Sequence, residues 1–100
     1  MLWGRDNVIT WHADADYAIA HGAKHVMGPN EPDINDGIQA GMSPEECAAI
    51  WTKYIVPYKA KGIKLISPAF SNAPYPMGMN WMTQFLPLVA VKPDIISVHW

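Results

Sequence analysis

Short apolar runs recur along this sequence at intervals that leave room for one helix each. They are Met1–Gly4, Ala23–Gly28, Ile63–Pro68 and Ile95–Trp100. The residues that end or follow them, Trp3, Glu31, Pro68 and His99, lie 28, 37 and 31 positions apart. A parallel strand–helix–strand unit takes about 30 residues or more, so the spacing predicts successive units of one parallel sheet. The fold class is therefore α/β, either doubly wound or a barrel. A complete (β/α)8 barrel runs to about 250 residues, so four such strands amount to half of one. A chain that starts and stops on bare strands is expected to be a slice of a larger fold.

The segments between the runs carry helix signals of unequal strength. Asp14 reads as the N-cap of a short helix reaching Ala20 or His21, after a loop holding Trp11 and His12, with Gly22 as the stop. Ser43-Pro44-Glu45-Glu46 is a stronger start, with Ser43 as N-cap, Pro44 at the first helical position and Glu46 closing a capping box. Behind it Cys47, Ile50, Trp51, Tyr54, Ile55 and Tyr58 form one apolar stripe. Pro57 should kink the last turn, and Lys59, Lys61 and Gly62 suit a helix end. Pro68 is expected to halt the third strand, and Ser71–Gly78 reads as a turn-rich loop. Asn80 is the expected cap of a third helix burying Trp81, Met82, Phe85, Leu86 and Val89.

Composition removes several functions. Half the residues are hydrophobic and 16% are charged, which is globular and not disordered. The net charge of −2 with no basic run argues against a nucleic-acid partner. No stretch approaches the roughly 20 apolar residues of a spanning helix, so no membrane partner is expected. Cys47 is the only cysteine, which excludes an intrachain disulfide and leaves a small core residue. The N-terminal Met1-Leu2-Trp3-Gly4 has no signal-peptide layout. The tryptophans and tyrosines fit either a core or sugar-stacking platforms.

The chemistry concentrates in His25–Asp33, HVMGPNEPD. Pro32 pushes Glu31 away from helical geometry, so the strand ends at a corner that presents Asn30 and Glu31 at the sheet edge. Catalytic residues of α/β barrels sit at that edge. A glutamate there can serve as a proton donor, and Asn30 can donate to a substrate hydroxyl beside it. A plain solvent-facing turn is the competing reading of the tripeptide. His99-Trp100 ends a strand on the same rim, against the alternative of a buried histidine bonded to backbone. His21 and His25 have the spacing of a helical metal pair, but Gly22 between them breaks the helix, and no metal or other cofactor is expected.

Taken together these stretches are similar to a known family. Met1-Leu2-Trp3-Gly4, Gly28–Asp33, Gln39-Ala40 with Met42–Glu46, Ser67-Pro68-Ala69 with Ser71-Asn72, Trp81 with Phe85, and Asp94–Trp100 occur in its order. The chain resembles the glycoside hydrolase family 128 endo-β-1,3-glucanases, the Asl-like glycosyl hydrolase catalytic core of clan A. The resemblance spans essentially the whole chain and implies a (β/α)8 barrel of which residues 1–100 supply strands three to six, a partial catalytic domain truncated at both ends. It implies a retaining enzyme acting on β-glucan polysaccharide or oligosaccharide, secreted or in the cell wall, with Glu31 as general acid/base beside Asn30. Trp3, Asn72, His99 and Trp100 then fall where the family lines its cleft. Pro29 departs from the family, which usually has an aromatic or other hydrophobic residue there. The clan's nucleophile, a Glu ending strand seven, lies beyond the strands present, and Asp33 and Asp36 follow Glu31 too closely to oppose it. Two other readings remain open: a non-catalytic β-glucan-binding or cell-wall protein, and another clan-A specificity such as a β-1,4-glycanase or mannanase. Endo or exo action and oligomeric state are not legible.

Overall fold

The structure, a computed structural model, describes all residues Met1–Trp100. Its elements in chain order are α1 (Val8–Ala20), β1 (His25–Met27), α2 (Pro44–Ile50), β2 (Lys64–Ile66), β3 (Phe70–Ser71), α3 (Gly78–Phe85) and β4 (Val98–His99). β1 pairs in parallel with β2, aligning Val26 with Leu65, and β3 pairs in parallel with β4, aligning Ser71 with His99. Single parallel bridges, Asn30 to Ala69 and Ile66 to Ile95, join the two pairs. β2 and β3 are thus two parts of one extended passage that Pro68 interrupts without ending. The halt expected at Pro68 does not occur. The chain runs on through Ala69 to Ser71, which takes Ser71 out of the predicted loop.

The N-terminal residues hold a strand position without forming a regular strand. Leu2 N–H donates to the Met27 carbonyl at 3.0 Å, and the Trp3 carbonyl accepts from Asn30 N–H at 2.9 Å. Strand positions therefore follow chain order: residues 1–3, β1, the β2/β3 passage, β4. The last run is much shorter than predicted. Only Val98 and His99 are regular strand, and Ile95, Ile96, Val98 and Trp100 are exposed.

Along β1 and β2 the side chains alternate, sending Val26 and Leu65 into the helices and leaving Met27 and Ile66 half-buried on the other face. One apolar core lies between sheet and helices. It joins Leu2, Val26 and Leu65 to Trp11 and Ala15 of α1, Cys47 of α2, and Trp81, Met82 and Phe85 of α3. Burial pushes the Cys47 thiol above its usual value, as expected of an inert core thiol.

The helix boundaries required corrections. α1 starts at Val8, so Trp11 and His12 are helical and Asp14 lies mid-helix. Val8, Trp11, Ala15 and Ile19 make a three- and four-residue stripe that drives this register, outweighing the capping preference of Asp14. Ser43 Oγ caps Glu46 N–H at 3.1 Å as predicted. The Glu46 side chain does not complete the box, because Arg5 takes both its oxygens at 2.8 and 2.9 Å. The kink expected at Pro57 begins earlier. The helix widens to a π turn over Trp51–Ile55, with Val56 N–H reaching back to the Trp51 carbonyl, then tightens over Val56–Lys61 to Gly62 at φ +77°. Asn80 is not the cap of α3. The helix starts at Gly78 with Met77 as its N-cap, and Asn80 Nδ2 turns back to the Pro76 carbonyl at 2.9 Å.

The Arg5–Glu46 pair gives a stability prediction. The arginine hydrogen bond holds the Glu46 carboxyl below its ordinary 4.5. A lowered folded value contributes stability above the ordinary pKa that disappears as pH falls through the folded one. Both side chains are substantially exposed, so Arg5→Ala should cost no more than about 1 kcal/mol near neutral pH. Thermal melts should show the difference from the parent shrinking as pH falls below the ordinary carboxyl value of 4.5. A difference unchanged at the lower pH would assign the loss to the other Arg5 bond, to the Gly41 carbonyl at 2.8 Å.

Candidate active site

Past β1 the chain stays extended through Gly28-Pro29-Asn30 and then turns. Gly28 lies so close to the neighbouring passage that a Cβ there would sit 2.9 Å from Pro68 N. Asn30 is 3% exposed. Its N–H reaches the Trp3 carbonyl, its carbonyl accepts from Ala40 N–H at 3.1 Å, and its Nδ2 donates to Gln39 Oε1 at 2.6 Å. The side chain predicted to meet substrate is thus enclosed and engaged by Gln39.

Glu31 follows at φ +39°, the one residue other than glycine with positive φ. Left-handed backbone is disfavoured for a residue with a side chain and persists only where its surroundings fix it. Here Glu31 N–H donates to the Ala69 carbonyl at 2.8 Å, and its own carbonyl accepts from Ile34 N–H at 3.1 Å. The Glu31 side chain is 22% exposed and places Oε1 3.1 Å from His99 Nδ1. β1 and β4 flank the β2/β3 passage, so their backbones are about 10 Å apart. Both side chains therefore lean across its end. A neutral imidazole carrying its proton on Nδ1 donates to the carboxylate in this arrangement.

Asp33, two residues on, is 8% exposed and accepts from Ser71 N–H at 3.0 Å, from Ser71 Oγ, and from Gly78 N–H at 2.8 Å. One carboxylate pins both ends of the loop 72–77. Asp36 accepts from Ile38 and Gln39 N–H, each at 2.9 Å, and the Gln39 bond first holds its carboxyl below the ordinary value. Neither acid faces Glu31 as a second reacting carboxyl.

The remaining predicted residues are spread along the rim. Trp3 is 45% exposed and its Nε1 reaches the Ile38 carbonyl at 3.4 Å. Beside it a polar cleft of about 190 Å³ is lined by Arg5, Asp6, Asn7, Asn35 and Gln39 among others. Asn72 is exposed one residue after β3, and Trp100 projects almost fully into solvent. The structure brings Glu31 and His99 together, with Asn30 behind them. No hydrogen bond joins Asn72 or Trp100 to Glu31. His21 caps the end of α1 while His25 begins β1, so the two do not share a helix face. No helix is long and apolar enough to cross a membrane.

A model of the glycosyl hydrolase catalytic core family matches residues 1–100. The chain belongs to that family. Among solved structures this catalytic-core chain is 47% identical, with a TM-score of 0.91, to a curdlan-specific exo-β-1,3-glucanase of glycoside hydrolase family 128 from Blastomyces gilchristii solved with glucose. It is 28% identical, with a TM-score of 0.76, to a family 128 endo-β-1,3-glucanase from Sorangium cellulosum. It is also 28% identical, with a TM-score of 0.70, to a family 128 oligosaccharide-binding protein from Trichoderma gamsii. These likenesses cover 100%, 100% and 99% of the catalytic-core chain but only 43%, 41% and 39% of the three relatives. No curated protein matches the sequence.

Proposed function

We propose that this chain supplies the acid/base side of a retaining β-1,3-glucan hydrolase. The observation that carries the reading is Glu31, held at a strand end in left-handed backbone with one carboxyl oxygen on His99. In the retaining mechanism two carboxyl groups stand about 5 Å apart, one protonating the leaving oxygen while the other attacks the anomeric carbon. Glu31 gives the proton, then takes one from the water that releases the product. His99 occupies Oε1, which leaves Oε2 to carry the proton. Trp3, Asn72, His99 and Trp100 line the glucan path, and Asn30 stiffens the corner or reaches a sugar hydroxyl once Gln39 yields. The chemistry uses carboxyl groups and water and calls for no metal or other cofactor.

The nucleophile falls to a further strand of a larger (β/α)8 barrel, in which residues 1–100 are strands three to six. Strand order without reversal and three helices sharing one core support a singly wound barrel over a doubly wound sheet, whose order reverses. Such an enzyme would meet its polymer as a secreted or cell-wall protein. The Sorangium relative favours endo action and the Blastomyces relative exo action, and product analysis on laminarin separates them.

The isolated chain is expected to leave laminarin intact. The full-length protein that carries it should hydrolyse laminarin and lose that activity in Glu31→Ala. Turnover by the isolated chain that Glu31→Ala abolishes would overturn the missing nucleophile and keep the site. A second reading, a non-catalytic oligosaccharide-binding protein, is favoured by the Trichoderma relative. Laminarin binding that survives Glu31→Gln, without hydrolysis by the full-length protein, would establish it instead.

A further inference from the structure

Glu31 sits in backbone it would not choose, and the bonds that hold it there come from both sides. On the chain's N-terminal side Asn30 is fixed by Trp3, Ala40 and Gln39. On the C-terminal side the fixture is Asp33, whose buried carboxylate is engaged by Ser71 N–H, Ser71 Oγ and Gly78 N–H. Ser71 pairs with His99 across the β3–β4 ladder. The carboxylate of Asp33 thus ties the Glu31 corner to the strand that aligns Glu31's own partner.

We propose that Asp33 is a positioning residue for Glu31: through Ser71 it holds the left-handed corner in register with His99, so that Glu31 meets the scissile oxygen. The proposal rests on Glu31 as the acid/base. Ser71 acts through the same bonds, so the two residues should behave as one unit. A misplacement of about 1 Å at a reacting group can cost about 100-fold in rate. The loss should fall on steps that need the Glu31 proton and spare steps that do not.

The test uses the full-length protein carrying this chain, with Asp33→Asn, Ser71→Ala and the double variant. On laminarin, Asp33→Asn should lower kcat by about 10- to 100-fold with KM within about twofold. On a β-glucoside whose leaving group departs without a proton, formation of the glycosyl-enzyme should fall less than about threefold. Ser71→Ala should show the same pattern more weakly, and the double variant should be no worse than Asp33→Asn. Equal losses on both substrates, tracking the folded fraction, would overturn the proposal and leave Asp33 as a brace. A rise in KM alone, or fully additive losses, would overturn it too. Should Asp33→Asn fail to fold, Ser71→Ala carries the test, since it removes a hydroxyl and keeps the backbone bonds. Glu31→Gln is run beside them. If it retains laminarin hydrolysis, the acid/base reading falls and the proposal with it; if it is inactive while Asp33→Asn is unimpaired, only the proposal falls.

Discussion

Glu31→Gln in the full-length protein is expected to lower laminarin hydrolysis by about 10²- to 10⁴-fold, the usual worth of a general acid/base. Glutamine keeps the size of the side chain, and its amide oxygen can still accept from His99 Nδ1, so the corner should fold unchanged. What it lacks is a proton to give. The loss should therefore depend on the leaving group. A glucan hydroxyl departs poorly without protonation, whereas an acidic phenol departs unaided. With an activated aryl β-glucoside the first step should survive, while the second, which needs a base for water, should not. Rapid-mixing kinetics would then show a burst of phenol followed by a slow steady state. Uniform loss on both substrates, without a burst, would remove Glu31 from the acid/base role and leave it a structural corner.

The site's address is legible in the sequence and its furniture much less so. Strand ends at about 30-residue spacing are enough to place Trp3, Glu31 and His99 on one rim. The stripe from Cys47 to Tyr58 and the Ser43 cap also follow from local rules, because periodicity and capping are local properties. Three things do not follow. Asp33 looks like one more turn aspartate, since its partners Ser71 and Gly78 are 38 and 45 positions away. Gln39 sits in a loop without periodicity, and nothing local marks it as the partner of Asn30. The start of α1 is missed for another reason. Asp14 is a good cap, but the stripe through Val8 and Trp11 buries more apolar surface than one capping bond is worth. The strand-end corner suggests Glu31 as a proton donor and the family resemblance names it general acid/base, while the His99 contact with Glu31 comes only from the fold.

Gly78→Ala should be the most damaging small substitution outside the Glu31 corner. Gly78 has φ +56°, and a Cβ there would lie 2.3 Å from the Ala73 carbonyl oxygen and 3.2 Å from that of Ser71. Both obstacles are backbone, so relief requires the loop or the start of α3 to move. Left-handed backbone alone costs an alanine about 1–2 kcal/mol. Movement of Gly78 also stretches its N–H bond to Asp33, and a buried group left short of a partner costs about 1–3 kcal/mol more. Together these give about 2–5 kcal/mol, a large part of the 5–15 kcal/mol typical of a whole domain. In the larger barrel proposed above this would lower the melting midpoint by about 5–20 °C. Gly37→Ala is the control. Its φ of +82° carries similar strain, but nothing lies within 4 Å of a Cβ there. If the two variants melt together, backbone strain accounts for all of the loss and the Asp33 clamp is not tight. If Gly78→Ala melts well below Gly37→Ala, the difference measures how firmly the loop beside Glu31 is held.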